Sequence, residues 1–546
     1  MRILRLAIFV LASLPGSVGW AGEPFEAHAR RPNILLIVAD DLGYADLGAF
    51  GSDIHTPNLD ALSRVGIRFS QFHTASMCAP SRAMLLSGNN NHVAGMANQS
   101  QSGILGHAFP AYEAHLSDRI VPFPRLLQRA GYRTHIVGKW HLGAPAAHGP
   151  RAAGFDRSFT LLHGAANHWN GAGFFAGGSV YEANDQLSHW PEGQFSTEVY
   201  TDRLIEFIEK DRAKGHAEPF FAMASYTAPH WPLQVPTEEL DRYRGQYDEG
   251  YDVLRELNFN RLKAAGIITE SARLPPRDPE VTPWQRLDTL QQRRESRKME
   301  LYAAMVSNLD AHIGRLVEYL EETGLRNNTL IVFISDNGAA GEDFYNSPER
   351  QEFYDYTRAH YDNRLDNMGH PDSFVSYGIP WAQAGSAPFR GIKGHAHEGG
   401  ITAPMIISGP LIEGRGRIEH GYVDILDLAP TFLALAGARY PADNQIRAPR
   451  GASLLPFLTG QSETIPGQHE VTVYFHRGWG MIRSGNWKLI NADWPFSESS
   501  LELFDVRADP GETRNLRQSQ PAVYRQLLET WREERKELGI VLPEDL

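Results

Sequence analysis

The sequence has very little cysteine: Cys78 is the single one among 546 residues. One cysteine excludes an internal disulfide, so a disulfide-stapled scaffold is ruled out. The simplest interpretation of a single thiol is a small buried apolar residue. In a protein that leaves the cytosol, however, an unused thiol is a liability unless it is buried, paired between chains or chemically used. The sequence around Cys78 therefore decides what it means.

Excess positive charge is also lacking. The 52 lysines and arginines are outnumbered by 65 aspartates and glutamates, which gives a formal net charge of −13. Nucleic-acid binding proteins usually present a basic face, so this balance argues against such a partner. The hydrophobic content of 42% and the charged content of 21% are those of an ordinary globular protein.

Long apolar runs are absent after the N-terminal segment. Arg2 and Arg5 precede the apolar run 6–14, and small residues stand before a possible cleavage point after Ala21. This arrangement predicts a cleaved signal peptide over residues 1–21, with an uncleaved membrane anchor as the alternative. The run is too short to span a bilayer comfortably, and no other run reaches about 18 apolar residues. We therefore expect a periplasmic or secreted protein without stable membrane insertion.

Short apolar runs resemble buried parallel strands, and several end directly in polar residues. The runs are 33–39 before Asp40-Asp41, 134–137 before Lys139 and His141, 220–226 before His230, 329–335 before Asp336-Asn337, and 403–408. Helical patterns separate them, including a long apolar stripe from Met305 to Leu320 and a segment over 422–436. This alternation predicts an α/β fold with a mostly parallel sheet sandwiched by helices. Ligands gather beyond the carboxyl ends of such strands, so these polar residues are candidates for one site.

The pattern changes after about Tyr440. Four short strand-like runs with tight turns precede an amphipathic helix near 522–538. They predict a smaller antiparallel α+β subdomain at the C-terminus. We therefore place a catalytic domain at residues 30–438 and this subdomain at residues 439–546.

Two stretches, 236–296 and 340–389, lack clear periodicity. Stretches of this length are usually functional or mobile, and we expect both to form walls of a substrate cleft. The second contains four aromatic residues that would either line an apolar pocket or pack the loop down: Tyr354, Tyr356, Phe374 and Trp381.

Hard oxygen ligands follow two of the predicted strands: Asp40, Asp41, Asp336 and Asn337. Aspartates packed this closely would repel each other strongly without a cation. Oxygen donors suit calcium or magnesium, whereas zinc would require more nitrogen or sulfur. Calcium, which we favour over magnesium, accepts roughly six to eight oxygens and so leaves room for a nucleophile and a substrate oxygen. Taken alone, Asp-Asp and Asp-Asn-Gly are also ordinary turn signals.

Cys78 begins the segment CAPSRAMLLSG, residues 78–88, which resembles the sulfatase signature Cys-x-Pro-Ser-Arg with a Leu/Thr-x-Gly ending. Residues 138–143 (GKWHLG) resemble the second signature of that family, and residues 164–168 (GAANH) are similar to bacterial arylsulfatases. Further family-like segments are GIKG at 391–394, EGG at 398–400 and DPGE at 509–512. The resemblance covers essentially the whole mature chain and implies an alkaline-phosphatase-like fold.

The resemblance implies that a maturation enzyme oxidises Cys78 to formylglycine (3-oxoalanine), whose aldehyde hydrates to a geminal diol. This modification would explain the single cysteine. Pro80 can open a helix, so Cys78 would stand near a helix N-terminus. Free N–H groups and the helix dipole favour an anion such as sulfate there.

Roles for the site residues follow from the same resemblance. A calcium-bound diol oxygen of modified Cys78 would attack the sulfur of a sulfate ester, with Asp336 as the base that holds or takes its proton. Calcium, Lys139 and Lys393 would neutralise the sulfuryl oxygens, and Arg82 would hold the diol. The expected metal ligands are Asp40, Asp41, Cys78, Asp336 and Asn337.

Proton transfers complete the expected reaction. His230 or Lys393 would protonate the leaving alcohol or phenol, and His141 would take a proton from the second diol hydroxyl so that sulfate leaves. Each residue also has an ordinary interpretation. Lys139 would then be an exposed strand end, His230 a packed loop histidine and Lys393 a solvated loop charge.

The predicted activity is hydrolysis of sulfate esters, with aryl sulfates favoured on the resemblance alone and a small molecule or a glycan carrying the ester. A phosphonate monoester or phosphodiester hydrolase is the alternative, because sulfate monoesters and phosphodiesters both carry one negative charge. A catalytically silent, calcium-stabilised binding protein for sulfated glycans is a second alternative, which nothing in the sequence favours. The expected partners are the ester and a formylglycine-generating maturation enzyme.

Overall fold

The computed structural model describes residues 31–99, 109–143, 146–343, 351–467, 471–542 and 545. The predicted signal peptide, residues 1–21, lies outside the described residues. None of the helices within these ranges combines the length and the apolarity that a membrane span requires. The described residues belong to one compact unit that begins at Arg31.

Strands and helices alternate over most of this unit. The strands are β1 (Asn33–Ala39), β2 (Ile67–His73), β3 (Arg133–Lys139), β4 (Arg157–Leu161), β5 (Tyr181–Ala183), β6 (Gln186–Ser188), β7 (Phe220–Ser225), β8 (Thr329–Ser335), β9 (Thr402–Ser408), β10 (Arg417–Glu419), β11 (Val423–Asp424), β12 (Val471–His476), β13 (Trp479–Ser484), β14 (Trp487–Asn491) and β15 (Leu501–Asp505). The helices are α1 (Pro57–Arg64), α2 (Cys78–Ser87), α3 (Phe123–Arg129), α4 (Ser196–Ala213), α5 (Tyr251–Ala264), α6 (Thr289–Glu322), α7 (Gln351–His360), α8 (Gly378–Gly385), α9 (Glu398–Ile401), α10 (Leu428–Ala436), α11 (Leu455–Leu458) and α12 (Pro521–Leu538).

The main sheet has the strand order β10-β2-β9-β8-β1-β7-β3-β4-β5-β6, with β11 also paired to β2. Neighbours from β8 to β4 are parallel, whereas β9 is antiparallel to both β8 and β2. Alternate residues of β1 enter two different cores, as the two-residue period of a strand requires. Leu35 and Ile37 pack on the side of α4 and α6, and Ile34 and Leu36 on the side of α2, α3 and α10. The predicted mostly parallel sheet with helices on both faces is confirmed.

The C-terminal strands β12-β13-β14-β15 form a separate antiparallel sheet. One face packs on α12, where Leu489 and Leu503 contact the cluster of Leu527 and Trp531. Met481 and the other residues of the second face join the core on the α2 side of the main sheet. The predicted smaller antiparallel α+β part is therefore confirmed, and it is held against the main sheet by a shared core.

One expectation about local structure was wrong, and the structure adds detail to the two stretches that lack clear periodicity. The segment 422–436 is not one helix: Val423–Asp424 pairs with β2, and the Asp424 side chain accepts a hydrogen bond from Leu426 N–H before α10 begins. The irregular stretches contain α5, α7 and α8. Trp381, considered for a pocket wall, is fully buried and packs edge-on against Tyr251.

Candidate active site

Four adjacent strands bring the predicted polar residues to one edge of the sheet. Asp336-Asn337 follow β8, Asp40-Asp41 follow β1, His230 lies beyond β7, and Lys139-Trp140-His141 lie at the end of β3. Six of the seven predicted side chains at these strand ends are buried, and the seventh, His141, is partly exposed. The convergence expected from parallel strand ends is therefore present.

Cys78 is the first residue of α2 and is buried. Met77 before it is extended, so the chain turns into the helix at Cys78 and leaves the first N–H groups of α2 without helical acceptors. The candidate ligand atoms of Cys78, Asp40, Asp41 and His230 all lie within 4.8 Å of one another. Burial raises the pKa of the Cys78 thiol to about 12, although nearby lysines oppose this. An unmodified thiol would thus be neutral here.

Each of three buried cations lies closest to a different buried carboxylate: Lys139 to Asp40, Lys393 to Asp41, and Arg82 to Asp336. The shortest nitrogen–oxygen distances are 2.6, 2.7 and 2.8 Å, respectively. Arg82 also donates to the carbonyl oxygen of Lys139 at 2.9 Å. Burial raises the pKa of Asp40 to about 7, opposed by the Lys139 charge. The cluster is electrically balanced when all six groups are ionised.

The oxygen donors at the ends of β1 and β8 fit a hard divalent cation. Asn337 donates its amide N–H to Asp41 Oδ1 at 2.7 Å, whereas its own Oδ1 is buried with no hydrogen-bond partner among the described residues. Asp41 N–H points to Asp336 Oδ1 at 3.3 Å, and Asp41 has a positive φ of 66°. Carboxylate and amide oxygens are the donor set of calcium and magnesium. His230, which we did not predict as a ligand, stands at the same cluster.

Both predicted histidines have a nitrogen available for proton transfer. His230 Nδ1 lies 2.7 Å from the Trp231 carbonyl oxygen and donates to it, so the Nε2 lone pair faces Lys393 Nζ at 3.4 Å. His141 Nδ1 has no hydrogen-bond partner among the described residues. Desolvation, together with the charge of Lys393 for His230 and of Lys139 for His141, holds the pKa of each imidazole well below its ordinary value. Both rings are therefore neutral.

Two residues that support the catalytic histidine candidates were not predicted from the sequence, because the GAANH segment indicated a family resemblance but no role for its residues. Gly164 lies against the His141 ring: a Cβ at residue 164 would be 2.5 Å from Cε1 of the imidazole. His168 holds the other histidine through its backbone, with Nε2 at 3.1 Å from the His230 carbonyl oxygen. The close backbone approach explains why glycine stands at residue 164.

A row of aromatic side chains extends from His230. Trp231 lies 4.2 Å from the His230 ring, and Phe174 lies 5.2 Å from Trp231, measured between ring centroids. Phe175 and Phe353 are 5.0 and 5.1 Å from Phe174. We call Trp231, Phe174, Phe175 and Phe353 the aromatic row. Its three phenylalanines are only half-buried.

Comparison with known proteins places this site in a family. The family model "Sulfatase" matches residues 32–438, and the model "N-sulphoglucosamine sulphohydrolase, C-terminal" matches residues 393–538. An uncharacterized sulfatase of Schizosaccharomyces pombe is 38% identical over 545 residues, 95% of this chain and 96% of that protein. The arylsulfatase of Klebsiella aerogenes is 38% identical over 426 residues, 76% and 89% of the two chains. The crystal structure of Ps i-CgsB in complex with k-i-k-neocarrahexaose aligns over 93% of each chain with a TM-score of 0.65 and 26% identity.

The fold and the site thus define a sulfuric ester hydrolase. The chain belongs to the sulfatase family, as its signature segments predicted. Hydrolysis of sulfate esters, rather than of phosphorus esters, is the activity that this membership supports, and the alkaline-phosphatase-like fold is confirmed with it.

Proposed function

We propose that the chain hydrolyses aryl sulfates and that formylglycine made from Cys78 is its nucleophile. The observation that carries this proposal is the position of Cys78. It stands at the N-terminus of a ten-residue helix, within 4.8 Å of candidate ligand atoms of Asp40, Asp41 and His230. An anion is favoured at such a helix end.

The residues that would hold a calcium ion, or less favourably magnesium, are Asp40, Asp41, Asp336 and Asn337, with the side chain at 78. When bound, the metal makes an attached oxygen a better nucleophile and stabilises charge on the sulfuryl oxygens. Since three cations already balance three carboxylates, a divalent ion would leave two positive charges in excess. A sulfate ester and a deprotonated hydroxyl at residue 78 each carry one negative charge, so together they restore the balance.

A hydrated aldehyde at residue 78 would supply one hydroxyl that attacks sulfur while the bond from sulfur to the leaving alcohol or phenol breaks. Loss of a proton from the second hydroxyl would then break the bond between carbon and the sulfate oxygen, release sulfate and restore the aldehyde. Asp336 would accept the proton of the first hydroxyl. Arg82, four residues after Cys78 on the same helix face, holds Asp336 Oδ2 at 2.8 Å and would orient both groups. Lys139 and Lys393 would bind the sulfuryl oxygens.

The two neutral histidines would divide the remaining proton transfers. Lys393 Nζ already donates toward His230 Nε2, so this pair would deliver a proton to the leaving oxygen. His141 Nδ1, which no described residue engages in a hydrogen bond, would accept the proton of the second hydroxyl.

Aryl esters are proposed because of the aromatic row. It begins at His230, the group that would face the leaving oxygen, and its half-buried phenylalanines offer apolar rings to a planar leaving group. A sugar would also stack on such rings, but its hydroxyls need polar partners that the aromatic row does not supply.

Parallel kcat/KM values on an aryl sulfate, an alkyl sulfate, a sugar sulfate and an aryl phosphodiester test the proposal. We expect the aryl sulfate to lead. Phe174→Ala should lower its kcat/KM about tenfold and leave the alkyl sulfate within about twofold, since a stacked ring pair contributes about 0.5–1.5 kcal/mol beyond area burial. Phe259→Ala, a half-buried phenylalanine under Lys263 on α5, is the matched control. A leading sugar sulfate would refute the aryl assignment, and a leading phosphodiester would refute sulfate specificity.

Maturation and location complete the proposal. We propose a signal peptide over residues 1–21, a periplasmic or secreted enzyme, a catalytic domain over 30–438 and a C-terminal subdomain over 439–546. A formylglycine-generating enzyme would be the maturation partner, and a small-molecule or glycan sulfate ester the substrate. The mass of the peptide containing residue 78, from protein made in its native host, tests the modification: an unmodified thiol in fully active enzyme would refute it.

A further inference from the structure

A buried ionic network lies between α9 and the C-terminal sheet. Lys488 on β14 places Nζ 2.7 Å from Glu398 Oε1 and 2.8 Å from Glu512 Oε1. The second oxygen of Glu398 lies 2.8 Å from His73 Nε2, and Glu512 Oε2 accepts the backbone N–H of Glu398 at 2.9 Å. All four residues are at most 1% exposed. We call these four residues the Glu398 network.

A contribution to the stability of the folded protein is a weak explanation for the presence of such a buried ionic network. Removing two ions from water costs several kcal/mol per ion, and well-packed apolar residues are often as stabilising as a buried ion pair. What a buried ionic network does provide is a fixed position, because each group has few orientations that satisfy all its partners. The element that the Glu398 network fixes is therefore informative.

α9 supports the segment that carries Asp336 and Asn337. Gly338, the next residue, donates its N–H to the Gly400 carbonyl oxygen at 3.0 Å. A Cβ at residue 338 would lie 1.9 Å from the Gly399 carbonyl oxygen, so the two backbones are in direct contact. A shift of α9 would therefore be transmitted to the residue beside Asn337.

α9 also supports the loop that carries Lys393. Gly399 N–H donates to the Arg390 carbonyl oxygen at 2.8 Å. A Cβ at Gly400 would lie 2.6 Å from the Ile392 carbonyl oxygen. The backbone of Arg390 and of Ile392, just before Lys393, thus rests on α9, and Lys393 Nζ reaches the cluster from this support.

The segment before Cys78 is held in the same way. His73, a member of the Glu398 network, is the last residue of β2 and lies five residues before Cys78. The next residue, Thr74, donates its N–H to the Ile401 carbonyl oxygen at the end of α9 at 2.7 Å. One short helix therefore contacts all three segments that carry the metal site, the cationic loop and residue 78.

We propose that Glu398, Lys488 and Glu512 are positioning residues for sulfate ester hydrolysis, and that the C-terminal sheet acts on the reaction through them. They fix α9, and α9 fixes Asn337, Lys393 and the segment before residue 78. The inference rests on the proposed function, since it presupposes that those three positions act on the ester.

Lys488→Met tests the inference, with Lys298→Met as the matched control. Lys298 is also buried and paired with a glutamate, Glu295, at 2.6 Å, but it lies on α6. The readouts are Tm, KM and kcat on an aryl sulfate well below Tm, with kcat normalised to the fraction of chains that mass spectrometry shows to carry formylglycine. We expect Lys488→Met to lower kcat about tenfold or more with KM within about threefold, because misplacement by about 1 Å costs about 100-fold. Lys298→Met should lower Tm and leave kcat within about twofold.

Glu512→Gln is the second test of the positioning role, and it replaces Lys488→Met if that variant does not fold. The glutamine keeps the shape of the side chain and an oxygen that accepts Glu398 N–H, but it removes the negative charge that faces Lys488. We therefore expect kcat to fall about threefold or more. A folded variant of either residue whose normalised kcat stays within about twofold of wild type, with only Tm lowered, would overturn the inference. A rise in KM alone would also overturn it. Wild-type protein without activity on any sulfate ester would instead refute the proposed function.

Discussion

Replacing Gly164 with alanine tests the position of His141 more directly than removing the histidine does. The added Cβ would lie 2.5 Å from Cε1 and 2.8 Å from Nε2 of the imidazole. Since non-bonded carbon atoms settle at about 3.5 Å or more, the ring and the loop must separate by about 1 Å. The imidazole of His141 would keep its acid–base properties but would be displaced from its position in the site.

The expected effect is on rate more than on folding. A displacement of about 1 Å at a reacting group costs about 100-fold, which is about 2.7 kcal/mol of activation free energy. Overpacking of this kind lowers the free energy of unfolding by about 1–3 kcal/mol, so the variant should remain folded at 25 °C. Because we assign His141 to the expulsion of sulfate, the first equivalent of phenol should still be released quickly, followed by slow turnover.

The assay is rapid-mixing kinetics with a chromogenic aryl sulfate, and the control is Gly171→Ala in the same loop. A Cβ at Gly171 would have its nearest described neighbour, Trp190 Cβ, at 4.0 Å, which is ordinary contact. Gly171→Ala should therefore keep the wild-type kcat. The reasoning is refuted if both variants turn over at the same rate, or if Gly164→Ala is slow without a rapid first equivalent.

Further substitutions and metal removal give three more predictions. Cys78→Ala should fold with a Tm near that of wild type and lose turnover of the aryl sulfate by several orders of magnitude; substantial turnover would contradict the nucleophile assignment. A chelator should abolish activity reversibly. It should also lower the free energy of unfolding by about 2.7 kcal/mol relative to protein in free calcium at 100 times its Kd. A Tm that does not change with calcium concentration would contradict the metal site. Asp46→Asn should gain stability over wild type as the pH rises. Burial raises the pKa of Asp46 to about 6 from 3.8, so the folded state binds the proton more tightly than the unfolded state does. As the pH rises from about 4 to about 6, the free energy of unfolding of wild type therefore falls by up to about 3 kcal/mol, and it stays lower at higher pH. Thermal unfolding of both proteins at pH 5 and pH 8 measures this, and a constant difference would contradict it.

The strands that the sequence predicts best are those buried on both faces. β1 and β8 coincide with the predicted runs 33–39 and 329–335, because continuous apolar residues are needed where helices cover both sides. β2 was missed, since Arg68, Ser70 and Gln71 interrupt its apolar residues. Arg68 donates to the Ala49 carbonyl oxygen instead of pointing to a core, a contact that only the folded chain defines.

The convergence of these residues in space was predictable, but the ion pairs among them were not. Polar residues after apolar runs marked the ends of β1, β3, β7 and β8, and the signature segment marked Cys78. Nothing in the sequence pairs Lys393 with Asp41, because Lys393 reaches the site from a loop whose course depends on α9. The contact of Gly164 with His141 likewise depends on a loop that returns to the end of β3.

The order of the strands explains how a chain with a net charge of −13 can bind an anionic ester. β8 and β1 are neighbours and present the carboxylates, whereas β7 and β3 lie on the other side of β1 and present His230 and Lys139. The field that the ester meets is set by this local division and not by the net charge. A consequence is that Lys139→Met, measured under one condition only, would confuse two effects, because it leaves Asp40 buried without its partner, at a cost of about 3–5 kcal/mol. The Lys139→Met substitution must therefore be compared with and without saturating calcium: if Lys139 binds the ester, calcium should restore Tm but not kcat, whereas recovery of both would mean that Lys139 only neutralises Asp40.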